Sequence, residues 1–119
     1  MKRTTSGISF EPGEILLIAF PFSDLTRAKR RPVLVLSNKT HNDASGDFVC
    51  CGITSNLENK KYSILLDRKD VLDGSIPKTS RVKFSKIFTL EKSLVVKKIG
   101  RVRGEKFDQV RKALSEHVI

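Results

Sequence analysis

The chain contains few of the residues on which several kinds of site depend. It has no tryptophan, one tyrosine, two histidines and two cysteines among 119 residues. The absence of a His-Glu-x-x-His motif and of paired Cys-x-x-Cys motifs argues against a zinc enzyme. The absence of a glycine-rich loop ending in Lys-Ser or Lys-Thr argues against a P-loop enzyme. We therefore expect no bound metal and no other cofactor, and we interpret the isolated His41 and His117 as ordinary surface residues.

The two cysteines, Cys50 and Cys51, are adjacent in the sequence. Neighbouring residues of a strand point to opposite faces, which argues against a mutual disulfide and against a shared metal site. The apolar runs are far shorter than the roughly 20 residues that a membrane-spanning helix needs. The first of these runs is also not followed by a small-residue cleavage site. We therefore expect reduced cysteines in a cytoplasmic protein without a secretory signal.

Acidic residues are outnumbered, with 13 of them against 23 lysines and arginines, and the net charge is +10. This balance favours a polyanionic partner: nucleic acid, an anionic membrane or an acidic protein. The basic residues are clustered, since residues 81–112 contain eleven lysines and arginines against three acids. A second cluster, at residues 27–31, contains four. The clustering favours one polyanion-binding face over a uniformly basic surface.

Short β-branched and apolar segments predict a mostly β fold. Phe107, Val110, Leu114 and Val118 recur at helical spacing and predict a C-terminal helix beginning near Gly104. Strands are predicted at 14–20, 33–36, 48–53, 62–66 and 81–85, with a last strand within 94–102 and a loop over 38–46. Gly52 indicates either a bulge or a close approach of another backbone. We expect a flexible lead over residues 1–10 and a single domain over 11–119, folded as a small antiparallel barrel with a terminal α-helix.

Residues 81–85 alternate cleanly between apolar and polar side chains. Val82 and Phe84 are predicted to point inward, whereas Arg81, Lys83 and Ser85 share the other face. This face is therefore predicted to be cationic.

A candidate site combines Arg31, which precedes Pro32 at the start of the second strand, with Thr54 and Ser55, which follow the third. If these strands are antiparallel neighbours, Arg31 and Thr54 meet at one rim of the barrel. A guanidinium beside a hydroxyl suits a phosphodiester, because both groups donate hydrogen bonds to phosphate oxygens. An Arg-Pro step that caps a loop, followed later by ordinary Thr-Ser turn chemistry, explains the same residues without a site.

The chain resembles the MazF/PemK family of toxins from bacterial toxin–antitoxin systems. The resemblance spans roughly residues 10–115, and its pieces occur in the family's order. The matching pieces are Pro-Gly-Glu-Ile-Leu-Leu at 12–17, the loop over 20–30, Arg-Pro-Val-Leu-Val-Leu-Ser at 31–37, Ile-Thr-Ser at 53–55 and Ile-Phe-Thr-Leu-Glu-Lys at 87–92.

The resemblance implies an SH3-like barrel, a homodimer, an acidic antitoxin partner and DNA binding through the toxin–antitoxin complex. It implies a metal-independent endoribonuclease of single-stranded mRNA, in which a 2′-hydroxyl attack gives a 2′,3′-cyclic phosphate and a 5′-hydroxyl. By the motif match, Arg31 would stabilise the phosphorane and take part in proton transfer, Thr54 would bond a phosphate oxygen, and Ser55 would assist. Because a guanidinium stays protonated near neutral pH, we favour an electrostatic role for Arg31.

We expect the RNA backbone to contact cations of the first loop and of the strand at 81–85. The predicted RNA-binding residues are Arg27, Lys29, Arg30, Arg81, Lys83 and Ser85. Phe22, in the first loop, is a candidate for stacking on a base.

One departure from the family concerns the acidic group of the site. Some relatives carry Arg and Asp where this chain has Lys83 and Ser85, before a turn expected at 88–91, so an acidic general base is missing. A non-catalytic nucleic-acid-binding barrel and a barrel that docks an acidic peptide therefore remain open alternatives.

Overall fold

The computed structural model of the chain describes residues 9–20, 29–58 and 60–119. The elements of this part are β1 (Glu14–Phe20), β2 (Lys29–Val35), α1 (Lys39–Ala44), β3 (Asp47–Thr54), β4 (Ile64–Leu66), a 3-10 turn (Arg68–Asp70), β5 (Val71–Leu72), β6 (Ser80–Glu91), a 3-10 turn (Lys92–Leu94), β7 (Val95–Val102) and α2 (Gly104–His117). The strands are joined antiparallel in one sheet in the order β4-β6-β3-β2-β1-β7-β5. The sheet curls into a half-barrel, which confirms the predicted mostly β fold with a C-terminal helix.

The sheet buries apolar side chains on both faces, which explains why β1 is apolar from Ile15 to Phe20. One cluster lies under α2 and contains Ile15, Leu34 and Cys51. The other contains Leu16, Val33, Val35, Phe48 and Cys50, among others. The two cysteines therefore point to opposite faces, as predicted, and both are free thiols. Burial raises the pKa of Cys50 to about 12 and raises the pKa of Cys51 further, because the thiolate is disfavoured away from water.

Helix α2 confirms the predicted helical pattern. It begins at Gly104, and Val110 and Leu114 are buried against the sheet, with Phe107 packed beside them. Val118 follows the last helical residue and is exposed. No described helix is long and apolar enough to span a membrane.

The predicted loop over 38–46 is wrong, because it contains α1. Asn38 caps this short helix by accepting the backbone N–H of His41 at 2.9 Å. Asn42 is fully buried in it: its Nδ2 donates to the carbonyls of Phe10 (2.8 Å) and Ser37 (2.9 Å). The polar composition indicated a loop, yet here the polar residues cap the helix and tie it to the barrel.

Strand β6 is longer than predicted, so the turn expected at 88–91 is also wrong. It pairs with β3 as far as Glu91, and the chain turns at Lys92–Leu94 instead. The register of this pairing shifts between Cys51 and Gly52, in agreement with the bulge that Gly52 indicated as one alternative.

Strand β2 begins earlier than predicted. Lys29 and Arg30 pair with Phe20 and Ala19 of β1, although both were expected in the loop. The pairing continues through Pro32, which the sequence pattern placed at the end of that loop. Arg27 and Phe22 lie outside the described residues, as do residues 1–8 of the predicted lead.

The end of the predicted lead is packed against the barrel. Phe10 is buried, with its ring centroid 5.5 Å from that of Phe48, and Lys98 Nζ donates to the carbonyl of Ser9 at 2.8 Å. The packed part of the chain therefore includes Phe10.

Candidate functional site

The sheet splits between β2 and β3. The pairing described between these strands covers three residue pairs and ends at Val33 and Gly52. Beyond this point β2 continues along β1 and β3 continues along β6. Pro32, the next residue of β2, has no N–H to give to a neighbouring strand. A gap therefore opens between two strands that are each held in place from the other side.

Arg31 and Thr54 flank this gap. They lie two residues beyond Val33 and Gly52, the last described pair, and they line the same clefts, so the structure brings them together. Arg31 is exposed and Thr54 is half-buried. The Thr54 hydroxyl oxygen accepts the N–H of Asn56 at 3.1 Å, which leaves its hydrogen available to a ligand.

Two clefts meet at the gap, and Arg31, Pro32, Ile53 and Thr54 line both of them. The larger, which we call the Ser55 cleft, has a volume of about 550 Å³. The described residues that it adds to the shared four are Leu17, Lys29, Arg30, Ser55, Ile76, Pro77, Lys78, Ser80 and Ile99. Among the predicted residues, Lys29, Arg30 and Ser55 are thus brought together with Arg31 and Thr54.

The second cleft, which we call the Phe88 cleft, has a volume of about 400 Å³. The described residues that it adds to the shared four are Phe20, Gly52, Asn56, Lys83, Lys86 and Phe88. Among the described lining residues, it differs from the Ser55 cleft in having two aromatic rings.

Six cations among the described residues line the two clefts: Lys29, Arg30, Arg31, Lys78, Lys83 and Lys86. The described lining residues include no aspartate, glutamate or histidine. The described part of the chain likewise contains no group of three or more histidine, cysteine or acidic side chains positioned to hold a metal ion. The arrangement suits a polyanion with one phosphate at the gap.

Two of the predicted RNA-binding residues, Arg81 and Lys83, form hydrogen bonds within the protein. Arg81 donates from Nε to the carbonyl of Leu57 (3.0 Å) and from Nη1 to the hydroxyl of Ser63 (3.3 Å). Lys83 is only 7 % exposed, and its Nζ donates to the carbonyl of Lys61 at 3.0 Å. Both side chains therefore fix the loop between β3 and β4, and Lys83 is buried, contrary to the open cationic face expected.

The cationic face predicted for Arg81, Lys83 and Ser85 does not form one continuous surface. Lys83 lines the Phe88 cleft, whereas Arg81 and Ser85 are not among the described residues that line either cleft. Ser85 is exposed at the shifted part of β6. The irregular pairing interrupts the simple alternation on which the prediction relied.

Sequence reasoning missed Asn56, Lys78, Lys86 and the Phe20–Phe88 ring pair. Lys86 lies within the irregular segment of β6 (residues 84–86) and Phe88 follows it, so the alternation of residues 81–85 gave no indication of where they lie. Asn56 offered one usable signal, since it directly follows the Thr54-Ser55 pair.

Solved structures share this fold. A MazE–MazF complex (Form-III) from Deinococcus radiodurans matches with a TM-score of 0.74, at 19% identity over 92% of this chain and 95% of that chain. An endoribonuclease in complex with its cognate antitoxin from a mycobacterial species gives 0.71, at 19% identity over 91% of each chain. The Mycobacterium tuberculosis toxin MazF-mt6 gives 0.68, at 16% identity over 87% of this chain and 93% of that chain. At these identities the likeness shows a shared fold.

No curated protein is significantly similar to the chain in sequence. The sequence model of the family described as "PemK-like, MazF-like toxin of type II toxin-antitoxin system" does match, over residues 11–118. This match covers nearly the whole chain and agrees with the fold. The chain therefore belongs to the PemK/MazF family of toxins from type II toxin–antitoxin systems, a family of endoribonucleases.

Proposed function

We propose that the protein is a toxin that cleaves single-stranded mRNA as a metal-independent endoribonuclease. The observation that carries this proposal is that Arg31 and Thr54 both line the two cation-lined clefts, which meet where the pairing of β2 with β3 ends. A polynucleotide laid across the gap would place one phosphate between these two side chains and its neighbouring nucleotides in the two clefts.

The proposed reaction is an internal transesterification. The ribose O2′ attacks the adjacent phosphorus, an O2′–P bond forms and the P–O5′ bond breaks. The 2′-hydroxyl loses one proton and O5′ gains one, so the products are a 2′,3′-cyclic phosphate and a 5′-hydroxyl, and no water is consumed.

The proposed role of Arg31 is electrostatic. Its planar guanidinium can donate two hydrogen bonds to the non-bridging phosphate oxygens, on which charge develops in the transition state. Thr54 can donate its hydroxyl hydrogen to the same phosphate, since its oxygen already accepts the N–H of Asn56. Ser55 is exposed beside it and supplies a second hydroxyl in the Ser55 cleft.

Solvent water is our candidate for both proton transfers. The described lining residues offer neither a carboxylate nor an imidazole for this purpose. The same observation favours a second candidate function, a barrel that binds nucleic acid without cleaving it. Salt-dependent RNA binding with no cleavage at any protein concentration would support this second function.

We propose that the exposed cations of the clefts bind the RNA phosphates that precede and follow the cleaved bond. Lys29 and Arg30 lie on the Ser55 side, and Arg27, predicted to bind RNA as well, precedes them in the chain. On the Phe88 side an exposed cation is Lys86, whereas the predicted Lys83 lines the same cleft but is largely buried. Each such contact releases counterions, so affinity should fall steeply as the salt concentration rises.

We also propose a cognate antitoxin as a partner. One of the similar structures is an endoribonuclease in complex with its cognate antitoxin, and another is a MazE–MazF complex. An acidic antitoxin segment would complement the cation-lined clefts and would compete there with RNA. Simultaneous binding of an acidic antitoxin peptide and RNA without mutual effect would contradict this overlap.

Homodimerisation, DNA binding through the toxin–antitoxin complex and a cytoplasmic location complete the proposal. Exposed apolar side chains, among them Leu57, Tyr62 and Leu65, offer surface for a twofold contact. Sedimentation showing a monomer at micromolar concentration would argue against the dimer.

The decisive experiment incubates purified protein with an end-labelled single-stranded RNA in excess EDTA. We expect cleavage, with mass spectrometry showing a cyclic phosphate, lighter than a linear phosphate by one water, and a 5′-hydroxyl on the other fragment. The same oligonucleotide with 2′-deoxyribose at the cleaved position is the control and should stay intact. Cleavage that requires an added divalent metal, or products with a 5′-phosphate, would contradict the proposal.

A further inference from the structure

The Phe88 cleft has an aromatic wall. The ring of Phe88 is partly exposed and packs edge-on against Phe20, with centroids 5.6 Å apart and an interplanar angle of 67°. Gly52 lies beside it, since a Cβ built on this glycine would be 3.8 Å from Phe88 Cε2. The missing side chain leaves space next to the ring, and a planar base can stack on such a ring.

Hydrogen-bond donors line the same cleft as this ring. Lys83 Nζ carries three hydrogens, and in the described part of the chain its acceptor is the single carbonyl of Lys61. Lys86 is exposed on the same strand. Asn56 uses its side-chain oxygen to accept the N–H of Glu58 at 3.1 Å, which leaves its NH₂ group to donate. The polar side chains that distinguish this cleft from the Ser55 cleft thus offer hydrogens rather than acceptors.

We propose that the Phe88 cleft binds one keto base, uracil or guanine, next to the cleaved phosphate. Uracil presents O4 and guanine presents O6 and N7 as acceptors, whereas cytosine and adenine place an NH₂ donor at the corresponding position. That NH₂ group would face the donors of Lys83, Lys86 and Asn56. The inference rests on the proposed function, because Arg31 and Thr54, shared by both clefts, set the base beside the reacting phosphate.

Uracil and cytosine make the sharpest test, since they have nearly the same shape and differ only at the 4-position and at N3, which carries a hydrogen in uracil and is an acceptor in cytosine. The probes are fluorescent hexanucleotides of uridine or cytidine with 2′-fluoro sugars, which lack the attacking hydroxyl and allow binding to be measured without cleavage. We expect wild-type protein to bind the uridine oligomer about tenfold more tightly. In Lys86→Met, which keeps the length of an exposed side chain, this ratio should fall towards one.

Lys69→Met is the matched control, because it removes the same charge from an exposed lysine that lines neither cleft. It should leave the ratio unchanged. Lys83→Met should lower the ratio as Lys86→Met does, and Arg31→Ala should keep it. Equal binding of both oligomers by wild type, or an unchanged ratio in Lys86→Met, overturns the inference. The second result would mean that the lysines contact phosphate alone.

Cleavage assays separate this inference from the proposed function. Wild-type protein that cleaves RNA but binds both oligomers equally contradicts the base assignment and leaves the endoribonuclease proposal standing. Protein that neither cleaves RNA nor binds either oligomer contradicts both.

Discussion

The two ends of the β2–β3 pair are built in opposite ways. At the end near Ser37, the backbone N–H groups of Leu36 and Ser37 both donate to the carbonyl of Val49, and the fully buried Asn42 connects this end to α1 and to Phe10. At the end near Arg31 the strands separate and two clefts open to solvent. We call these the closed end and the split end.

One strand pair therefore has one end that stabilises the fold and another end that is open to a ligand. At the closed end, buried polar groups are matched to one another, so removing one leaves others buried without a partner. At the split end, exposed cations such as Arg30, Arg31 and Lys86 face open clefts, so they should contribute little to folding stability and can bind a ligand. Substitutions at the closed end should therefore change folding stability, whereas substitutions at the split end should change RNA cleavage or binding.

The largest effect is expected from Arg31→Ala at the split end. Loss of the charge that faces the phosphate should reduce cleavage about 100–1000-fold, the range found when one transition-state donor is removed. Thermal stability should change little, because the side chain is exposed. Single-turnover cleavage and a melting curve test both expectations.

Arg30→Ala is the matched control for that variant. It removes the neighbouring exposed cation of the Ser55 cleft, so it should weaken RNA binding in a salt-dependent manner and leave the single-turnover rate at saturation largely intact. An Arg31→Ala protein as active as wild type would contradict the proposal that the split end is the site of RNA cleavage.

Asn42→Ala at the closed end should give the next largest effect, on stability alone. It leaves the carbonyls of Phe10 and Ser37 without the Asn42 donor. We expect the free energy of unfolding to fall by about 3 kcal/mol, measured by urea denaturation. The folded fraction should cleave RNA at the wild-type rate. A variant as stable as wild type would contradict the contrast between the two ends.

Thr54→Val sharpens the assignment within the split end. It keeps the shape of the side chain and removes the hydroxyl, so cleavage should fall about tenfold, as expected for one hydrogen bond to a charged group. Thr54→Ser should restore most of the rate because it returns the donor. Equal rates for the valine and serine variants would show that the hydroxyl does not contact the reacting phosphate.

The smallest effect at neutral pH concerns Cys50, which lies in the paired part of β3. Its pKa is raised to about 12 in the folded protein from an ordinary value of 9.0. The folded state thus holds this proton more tightly than the unfolded state. Its contribution to stability is complete below pH 9 and is lost as the pH rises from about 9 towards 12.

Iodoacetamide labelling at pH 8 tests this expectation, because the thiolate is the reactive form. Native protein should be labelled slowly and urea-unfolded protein rapidly. Rapid labelling of the native protein would show that the paired region opens as readily as the split end.

Much of the fold was predictable because it depends on local periodicity. β1 has the predicted bounds, and α2 begins at Gly104 with its apolar face against the sheet. The segment containing α1 was misjudged because polar side chains that cap and anchor a short helix have the composition of a loop. Strand β6 was ended too early, because its pairing with β3 supports residues whose own pattern resembles a turn.

The candidate site was predictable only in part. Arg31 and Thr54 were expected to meet because antiparallel neighbours bring the start of one strand beside the end of the next, and both residues do line the same clefts. Arg81 and Lys83 were misplaced because the sequence shows their charge but not the loop carbonyls that they bind.

The mostly antiparallel β fold, the cationic character and the meeting of Arg31 and Thr54 at one site follow from the sequence alone, through hydrophobic periodicity, composition and strand order. The tertiary structure alone decided that β2 and β3 separate beyond Val33 and Gly52. It also placed Lys83, Lys86 and Phe88 around one cleft. Register shifts and strand separation depend on contacts between residues that are far apart in the chain. A local sequence pattern does not predict such contacts.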